Sequence, residues 1–197
     1  MYDCFPLWRI AVAFETPAWF PSRIATPAEV AANGFESAKI AVEKLNNSGI
    51  RVIVLTGDNS EVTRSICKRV NINSDNILTG SQLDKLSDTA VLRVLKNVNI
   101  FSKLSPIQKS RVIRLLKEDG NVVGYMGDGI NDSPSLTNSD IGISVDTAAD
   151  VAKETADIIL LEKDLQVLLD GVQEGRKTFC NHSFSSYASF ICCLRRQ

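Results

Sequence analysis

The sequence predicts an α/β protein built on a doubly wound parallel sheet. Short apolar runs alternate along the chain with longer stretches whose apolar residues recur every three or four positions. That is the pattern of parallel strands joined by crossover helices. Two of the runs, Val52–Leu55 and Val122–Met126, stop abruptly at Thr, Gly, Asp and Asn, as buried strands do where they open into loops. These polar ends are far apart in sequence, yet a parallel sheet gathers such ends along one edge and builds its site there.

The elements follow in order. Residues 1–33 form a distinct segment holding both tryptophans and four of the six prolines. Within it Leu7–Phe14 reads as a strand and the rest as loop. Helical spacing starts at Glu36 with Ala38, Ala41, Val42 and Leu45, and Asn47-Ser48-Gly49 ends that helix. The strand Arg51–Leu55 comes next, then a helix over Ser60–Val70 with Val62, Ile66 and Val70 on one face. A short element near Asn76–Leu78 precedes a helix around Asp88–Lys96, and Val98–Phe101 is a further strand. Ser105-Pro106 opens a helix to about Glu118, because a hydroxyl cap followed by proline satisfies the first turn. The strand at 121–126 leads into a helix near Asn131–Asn138. Ile141–Ile143 and Ile158–Leu161 are short strands, and a last helix runs from Asp164 to about Phe179.

Composition narrows the function. With 197 residues, 44% hydrophobic and 23% charged, the chain suits one ordinary domain with a sizeable core. A net charge of -1 gives no electrostatic case for nucleic acid or an anionic membrane. No apolar run approaches the roughly 20 residues of a membrane span. The opening stretch, with Asp3, Pro6, Glu15 and Pro17, is no signal peptide. Five cysteines (Cys4, Cys67, Cys180, Cys192, Cys193) are an odd number without metal-ligand spacing and read as reduced thiols of a cytosolic protein. The adjacency of Cys192 and Cys193 is only a weak lipidation signal. His182 is the sole histidine, so acid–base work would fall to carboxylates and lysines.

The chemistry concentrates at the polar strand ends. In Thr56-Gly57-Asp58 a hydroxyl, a close-approaching backbone and the start of the next helix form a small anion cradle. The competing structural reading makes Gly57 a plain turn and Asp58 a helix cap. Lys109, one turn into the helix after Ser105-Pro106, can reach a phosphate as a point charge, or can be a solvated helix lysine. Lys103 has the same two readings. Asp128 and Asp132, separated by a Gly-rich turn and Asn131, are hard oxygen donors suited to Mg²⁺, which takes one or two carboxylates together with water and phosphate oxygens. Gly127 and Gly129 flank Asp128 and bring backbone close to a ligand. Asn131 can donate to a phosphate oxygen or hold a carboxylate. A hydroxyl-Gly-Asp end, a downstream lysine and a second acidic end, in that order, make a set for holding and neutralising a phosphoryl group.

These segments resemble the haloacid-dehalogenase superfamily, specifically the phosphorylation domain of P-type cation pumps. Thr56-Gly57-Asp58-Asn59 resembles the pump TGDN motif. Phe101-Ser102-Lys103-Leu104-Ser105-Pro106-Ile107-Gln108-Lys109 resembles the segment carrying the phosphate-binding lysine. Met126-Gly127-Asp128-Gly129-Ile130-Asn131-Asp132-Ser133-Pro134-Ser135-Leu136 resembles the hinge motif GDGxNDxPAL, with Ser135 where alanine is usual. Ile141-Gly142-Ile143-Ser144-Val145-Asp146, Ala152-Lys153-Glu154 and Asp157–Lys163 look most like the magnesium-transporting subclass. The resemblance covers 34–181 as a partial phosphorylation domain, with 1–33 and 182–197 not matching. It implies a Rossmann-like haloacid-dehalogenase fold, Mg²⁺ as cofactor and ATP as the family's substrate. It also implies Asp128 and Asp132 at the metal site, with Asp132 supporting it. Thr56, Gly57, Asp58 and Lys109 would lie on the phosphoryl group, with Lys103 and Asn131 near nucleotide or phosphate.

The departures shape the expected function. Family pumps phosphorylate an aspartate in an Asp-Lys-Thr-Gly-Thr motif, and these 197 residues contain none. The nucleotide-binding and actuator domains and the membrane helices of the family have no counterpart here, and both ends look foreign, as if a gene were interrupted on each side. The sheet is therefore expected to lack its central nucleophile strand, unless Leu7–Phe14 replaces it and puts Glu15-Thr16 near the nucleophile position. Use of Glu15 as a nucleophile is not expected, since its flanking motif is absent. The leading expectation is a fragment of a magnesium-transporting P-type ATPase, cytoplasmic in itself and inactive alone. A small phosphatase of the same superfamily is one alternative. The other is a non-catalytic module that docks on an intact pump through the gap in its sheet.

Overall fold

A computed structural model of the chain describes residues 10–14, 29–162 and 164–177. Its strands are β1 (Ile10–Phe14), β2 (Ile50–Leu55), β3 (Ile77–Thr79), β4 (Ile100–Ser102), β5 (Val122–Met126), β6 (Ile141–Val145) and β7 (Ile158–Leu160). The helices between them are α1 (Glu29–Asn47), α2 (Ser60–Arg69), α3 (Gly80–Leu83), α4 (Asp88–Leu95), α5 (Pro106–Glu118), α6 (Ser133–Asn138) and α7 (Asp150–Thr155). A last helix, α8, covers 165–177. The seven strands form one sheet in the order β3-β4-β2-β1-β5-β6-β7, and every neighbouring pair is parallel. The reversal of strand order around the middle makes this the doubly wound sheet that strand–helix alternation predicts.

The middle of the sheet corrects one expectation. β1 lies between β2 and β5, with Phe14 level with Val54 on one side and Met126 on the other. A central strand is thus present, not left out, and the sheet draws it from the segment before residue 34. No gap remains between β2 and β5 to receive a docking partner. The physical reason is the cost of leaving two rows of backbone donors and acceptors unpaired in a sheet interior. Ala13 on β1 is fully buried. Glu15 and Thr16 lie outside the described residues, as do His182 and every cysteine except Cys67.

Strand burial explains the run-like sequences. β2 and β5 are buried along nearly their whole length, so their residues are apolar without alternation. Ile53, Val54, Leu55, Phe101, Ile113, Leu116, Val123, Tyr125 and Met126 belong to one continuous core. Helix α1 starts at Glu29, ahead of the Glu36 start expected from spacing, because the helix runs through Asn33-Gly34, a pair that reads as a breaker in sequence. The helix expected at 131–138 is two pieces, a 3₁₀ turn over Ile130–Asp132 and then α6. Helices α3 and α7, of four and six residues, were too short for periodicity to reveal. Among the described residues no helix is long and apolar enough to cross a membrane.

Candidate functional site

The Thr56-Gly57-Asp58 loop leaves β2 and is stitched to the loop after β4. The Thr56 amide donates to Phe101 O at 2.9 Å, Leu104 N donates to Thr56 O at 3.0 Å, and Lys103 N donates to Asp58 O at 3.0 Å. The Asp58 amide donates to Thr56 Oγ1 at 3.1 Å, and Thr56 is fully buried. Asn59, not Asp58, caps α2, its side chain accepting from Glu61 N. That removes the structural reading of Asp58 as a cap. One of its carboxylate oxygens, Oδ2, is buried without a hydrogen-bond partner. Gly57 and Lys103 are exposed. Lys103 has a positive φ of 52°, a left-handed conformation uncommon for a residue with a side chain.

Helix α5 then delivers Lys109. Ser105 caps it and accepts from Gln108 N, Gln108 reaches back to Ser105 N, and Pro106 occupies the first turn. The cap and the proline are the signal that the sequence carried, and Gln108 completes them as a capping box. Lys109 is only 2% exposed, which overturns the reading of a solvated helix lysine. Its Nζ lies 3.0 Å from Asp132 Oδ1. The same oxygen accepts from Tyr125 Oη at 2.7 Å, and Asp132 Oδ2 accepts from Gly129 N at 3.2 Å. A lysine and an aspartate taken out of water this completely persist only when paired and further hydrogen-bonded, and Tyr125 and Gly129 supply those bonds.

Asp128 follows β5 and is half-buried. The turn around it is tied to the next strand and helix: Gly127 N donates to Ile143 O at 3.1 Å, and Ala149 N donates to Asp128 O at 3.1 Å. Gly127 has a reason other than the expected approach to a ligand. A Cβ there would stand 2.7 Å from Asp132 Cβ and 2.8 Å from its Cγ, so the glycine makes room for Asp132. Asn131 is exposed on the 3₁₀ turn.

The structure therefore brings Lys109 and Asp132 into contact and ties Thr56 and Asp58 to the Lys103 loop through backbone. Sequence reasoning missed Tyr125. Its signal was a lone phenol in an otherwise apolar buried strand, whose hydroxyl must find a partner. Among the described residues no group of three or more His, Cys, Asp or Glu side chains could hold a metal ion. Cys67 is buried, and burial pushes its thiol up to about 12, so it carries no nucleophilic chemistry near neutrality.

Residues 10–140 match the family model for haloacid dehalogenase-like hydrolases. The chain belongs to that family. Within it, the chain is 51% identical over 146 residues to the "Magnesium-transporting ATPase, P-type 1" of Salmonella typhimurium (strain LT2), and 48% identical to the protein of that name in Escherichia coli K12. Each match covers 74% of this chain but 16% of the relative, so the chain spans about a sixth of the length of these curated relatives. A calcium-transporting ATPase of Saccharomyces cerevisiae is 37% identical over 150 residues. Solved structures agree. A catalytic domain of the CPx-ATPase CopB-B superposes with a TM-score of 0.52 at 31% identity, covering 68% of this chain and 43% of that one. A zinc-transporting PIB-type ATPase gives 0.56 at 26% identity, covering 73% and 19%. This haloacid dehalogenase-like domain thus has P-type ATPase domains as its neighbours in both sequence and structure.

Proposed function

We propose that the chain is the metal- and phosphate-holding part of a magnesium-pump phosphorylation domain, and that alone it binds without turning over. The observation that carries this is the buried set Lys109, Asp132 and Tyr125, built where α5 and the end of β5 meet. In the intact family, ATP would phosphorylate an aspartate and drive Mg²⁺ across a membrane, with this domain on the cytoplasmic side. The names of the relatives support the ion. These 197 residues hold no Asp-Lys-Thr-Gly-Thr nucleophile motif, so the chain forms no phosphoenzyme and moves no ion.

The residues divide the work as follows. Thr56, Gly57 and Asp58 line the phosphoryl oxygens, with the Thr56 hydroxyl and the exposed Gly57 backbone facing them. Lys109 supplies positive charge at the site, and Lys103 and Asn131 face nucleotide or phosphate from the exposed rim. Asp128, half-buried at the mouth, is the metal ligand. Asp132 has both oxygens engaged and acts behind it, holding the loop and Lys109. The fit to magnesium rests on donor chemistry: every side-chain acceptor here is a hard oxygen, and one carboxylate is enough when water and phosphate complete the shell. Bound Mg²⁺ would neutralise charge on the phosphoryl oxygens.

Calorimetry on the full chain tests this directly. Mg²⁺ with orthophosphate should bind to wild type, and the heat should be lost in Asp128→Asn. Equal heats from the two proteins would sink the assignment. Incubation with labelled ATP and Mg²⁺ should leave no acid-stable label. Turnover of p-nitrophenyl phosphate that Asp128→Asn abolishes would make the chain a phosphatase instead, a reading favoured by the filled central strand.

A further inference from the structure

Two segments of the candidate site, the Lys103 loop and the first turn of α5, meet at a single glycine. Gly80 opens α3 directly after β3. A Cβ at this position would stand 2.5 Å from Gln108 Oε1 and 2.5 Å from the carbonyl oxygen of Lys103. One of those neighbours is backbone, so no change of rotamer relieves the clash. Gln108 is fully engaged at the junction. Its Oε1 accepts from Ser105 N at 2.8 Å, and its Nε2 donates to Gly80 O at 3.1 Å and to Asp84 Oδ2 at 2.7 Å. The side chain thus caps α5 with one end and fastens it to the β3–α3 corner with the other.

Both partners lead to the site. Gln108 precedes Lys109, whose ammonium is buried against Asp132. Lys103, whose carbonyl rests on Gly80, holds the left-handed turn that bonds to Asp58 O, and Leu104 bonds to Thr56 O. A shift at Gly80 or Gln108 is therefore passed to the lysine and to the cradle together, while neither residue faces the ligand itself. We propose that Gly80 and Gln108 are positioning residues for the phosphate site. They fix the first turn of α5 against the 103–104 loop, so that Lys109 and Thr56–Asp58 keep one arrangement. The phosphate part of this inference rests on the function proposed above; the placement of Lys109 does not.

The chemistry of Gln108 separates positioning from capping. Gln108→Glu keeps an oxygen for Ser105 N, so the cap persists. It has no donor for Gly80 O and meets Asp84 with like charge, so the fastening is lost. Adding Asp84→Asn returns a donor across the same gap. The readout is solvent exchange of the Lys109 ammonium protons by ¹⁵N-detected NMR on the full chain, with Lys109→Arg to assign the signal. Gln82→Ala serves as a control, since it breaks the neighbouring α3 cap without touching α5.

Wild type should show one protected ammonium signal. Losing a charge-assisted bond at a partly exposed site should speed its exchange about tenfold in Gln108→Glu and in Gly80→Ala. The Asp84→Asn double variant should recover most of the protection, and Gln82→Ala should leave it unchanged. Wild-type exchange in Gln108→Glu, no protected signal in wild type, or an equal acceleration in Gln82→Ala at matched stability would each overturn the proposal. Orthophosphate binding in the presence of Mg²⁺ is measured on the same proteins. Wild type that binds none while the exchange pattern holds removes the function proposed above but leaves the positioning intact. Binding that Gln108→Glu weakens about tenfold supports both.

Discussion

Asp132 is the residue on which the local structure turns. It meets a lysine, a phenol and a backbone amide, and its neighbour Gly127 exists to admit it. Asp132→Asn removes the buried carboxylate charge that the Lys109 ammonium bonds to and should cost about 3–5 kcal/mol in urea unfolding. Tyr125→Phe removes one buried bond to a charged group and should cost about 1.5–3 kcal/mol. A third prediction runs the other way. Ser135 is fully buried and its hydroxyl has no partner, in a motif where alanine is usual. Ser135→Ala should raise stability by about 1 kcal/mol, and an unchanged or lower unfolding midpoint would show that the hydroxyl is satisfied after all. Asp128 and Asp132 stood out in sequence because carboxylates beside glycines after an apolar run mark the open end of a buried strand. The Lys109–Asp132 contact was not, because it joins residues from two different helices' entry turns, and sequence spacing says nothing of which strand ends lie side by side.

Between elements, the tie of α4 to α5 is the clearest device. Arg111 and Arg114 both reach Asp88, at 2.6 and 2.9 Å, and Arg111 also caps the carbonyls of Leu83 and Leu86. The hydrogen bonds from Arg114 and then Arg111 hold the Asp88 carboxyl below its usual range. A carboxylate with a lowered folded-state value stabilises the fold above its unfolded value near 3.9 and loses that contribution as pH falls through the folded value. The melting temperature of wild type should therefore exceed that of Asp88→Asn at pH 6, with the difference closing below about pH 4 and shrinking in high salt. A gap that persists at pH 2 would mean that packing, not charge, joins these helices. Strands and long helices were readable from period and caps: Ser105-Pro106 marked α5 to the residue. Short α3 and α7 escaped, and Asn33-Gly34 hid the start of α1, because local propensity yields to tertiary packing.

At the scale of the whole molecule, β1 decides whether there is one sheet or two half-sheets. It pairs with both β2 and β5 along its length, and Ala13 has no exposure. Ala13→Glu places a carboxylate in the core without a partner and should abolish cooperative thermal melting. Retention of a sharp transition would show that the sheet stands without this strand. The doubly wound class was legible from alternation alone. The strand order was not: that Leu7–Phe14 fills the centre stood only as an alternative, drawn from the family resemblance and from the demand of two neighbours for backbone partners, since an apolar segment does not itself state its place. That placement has a temporal cost. Ile10 is made on the order of a hundred residues before Val122, its neighbour across the sheet. At roughly 5–20 residues per second, translation leaves this sticky peptide waiting about 5–20 s for its second flank. The newborn chain's yield in a cell should accordingly track how fast the ribosome covers that interval.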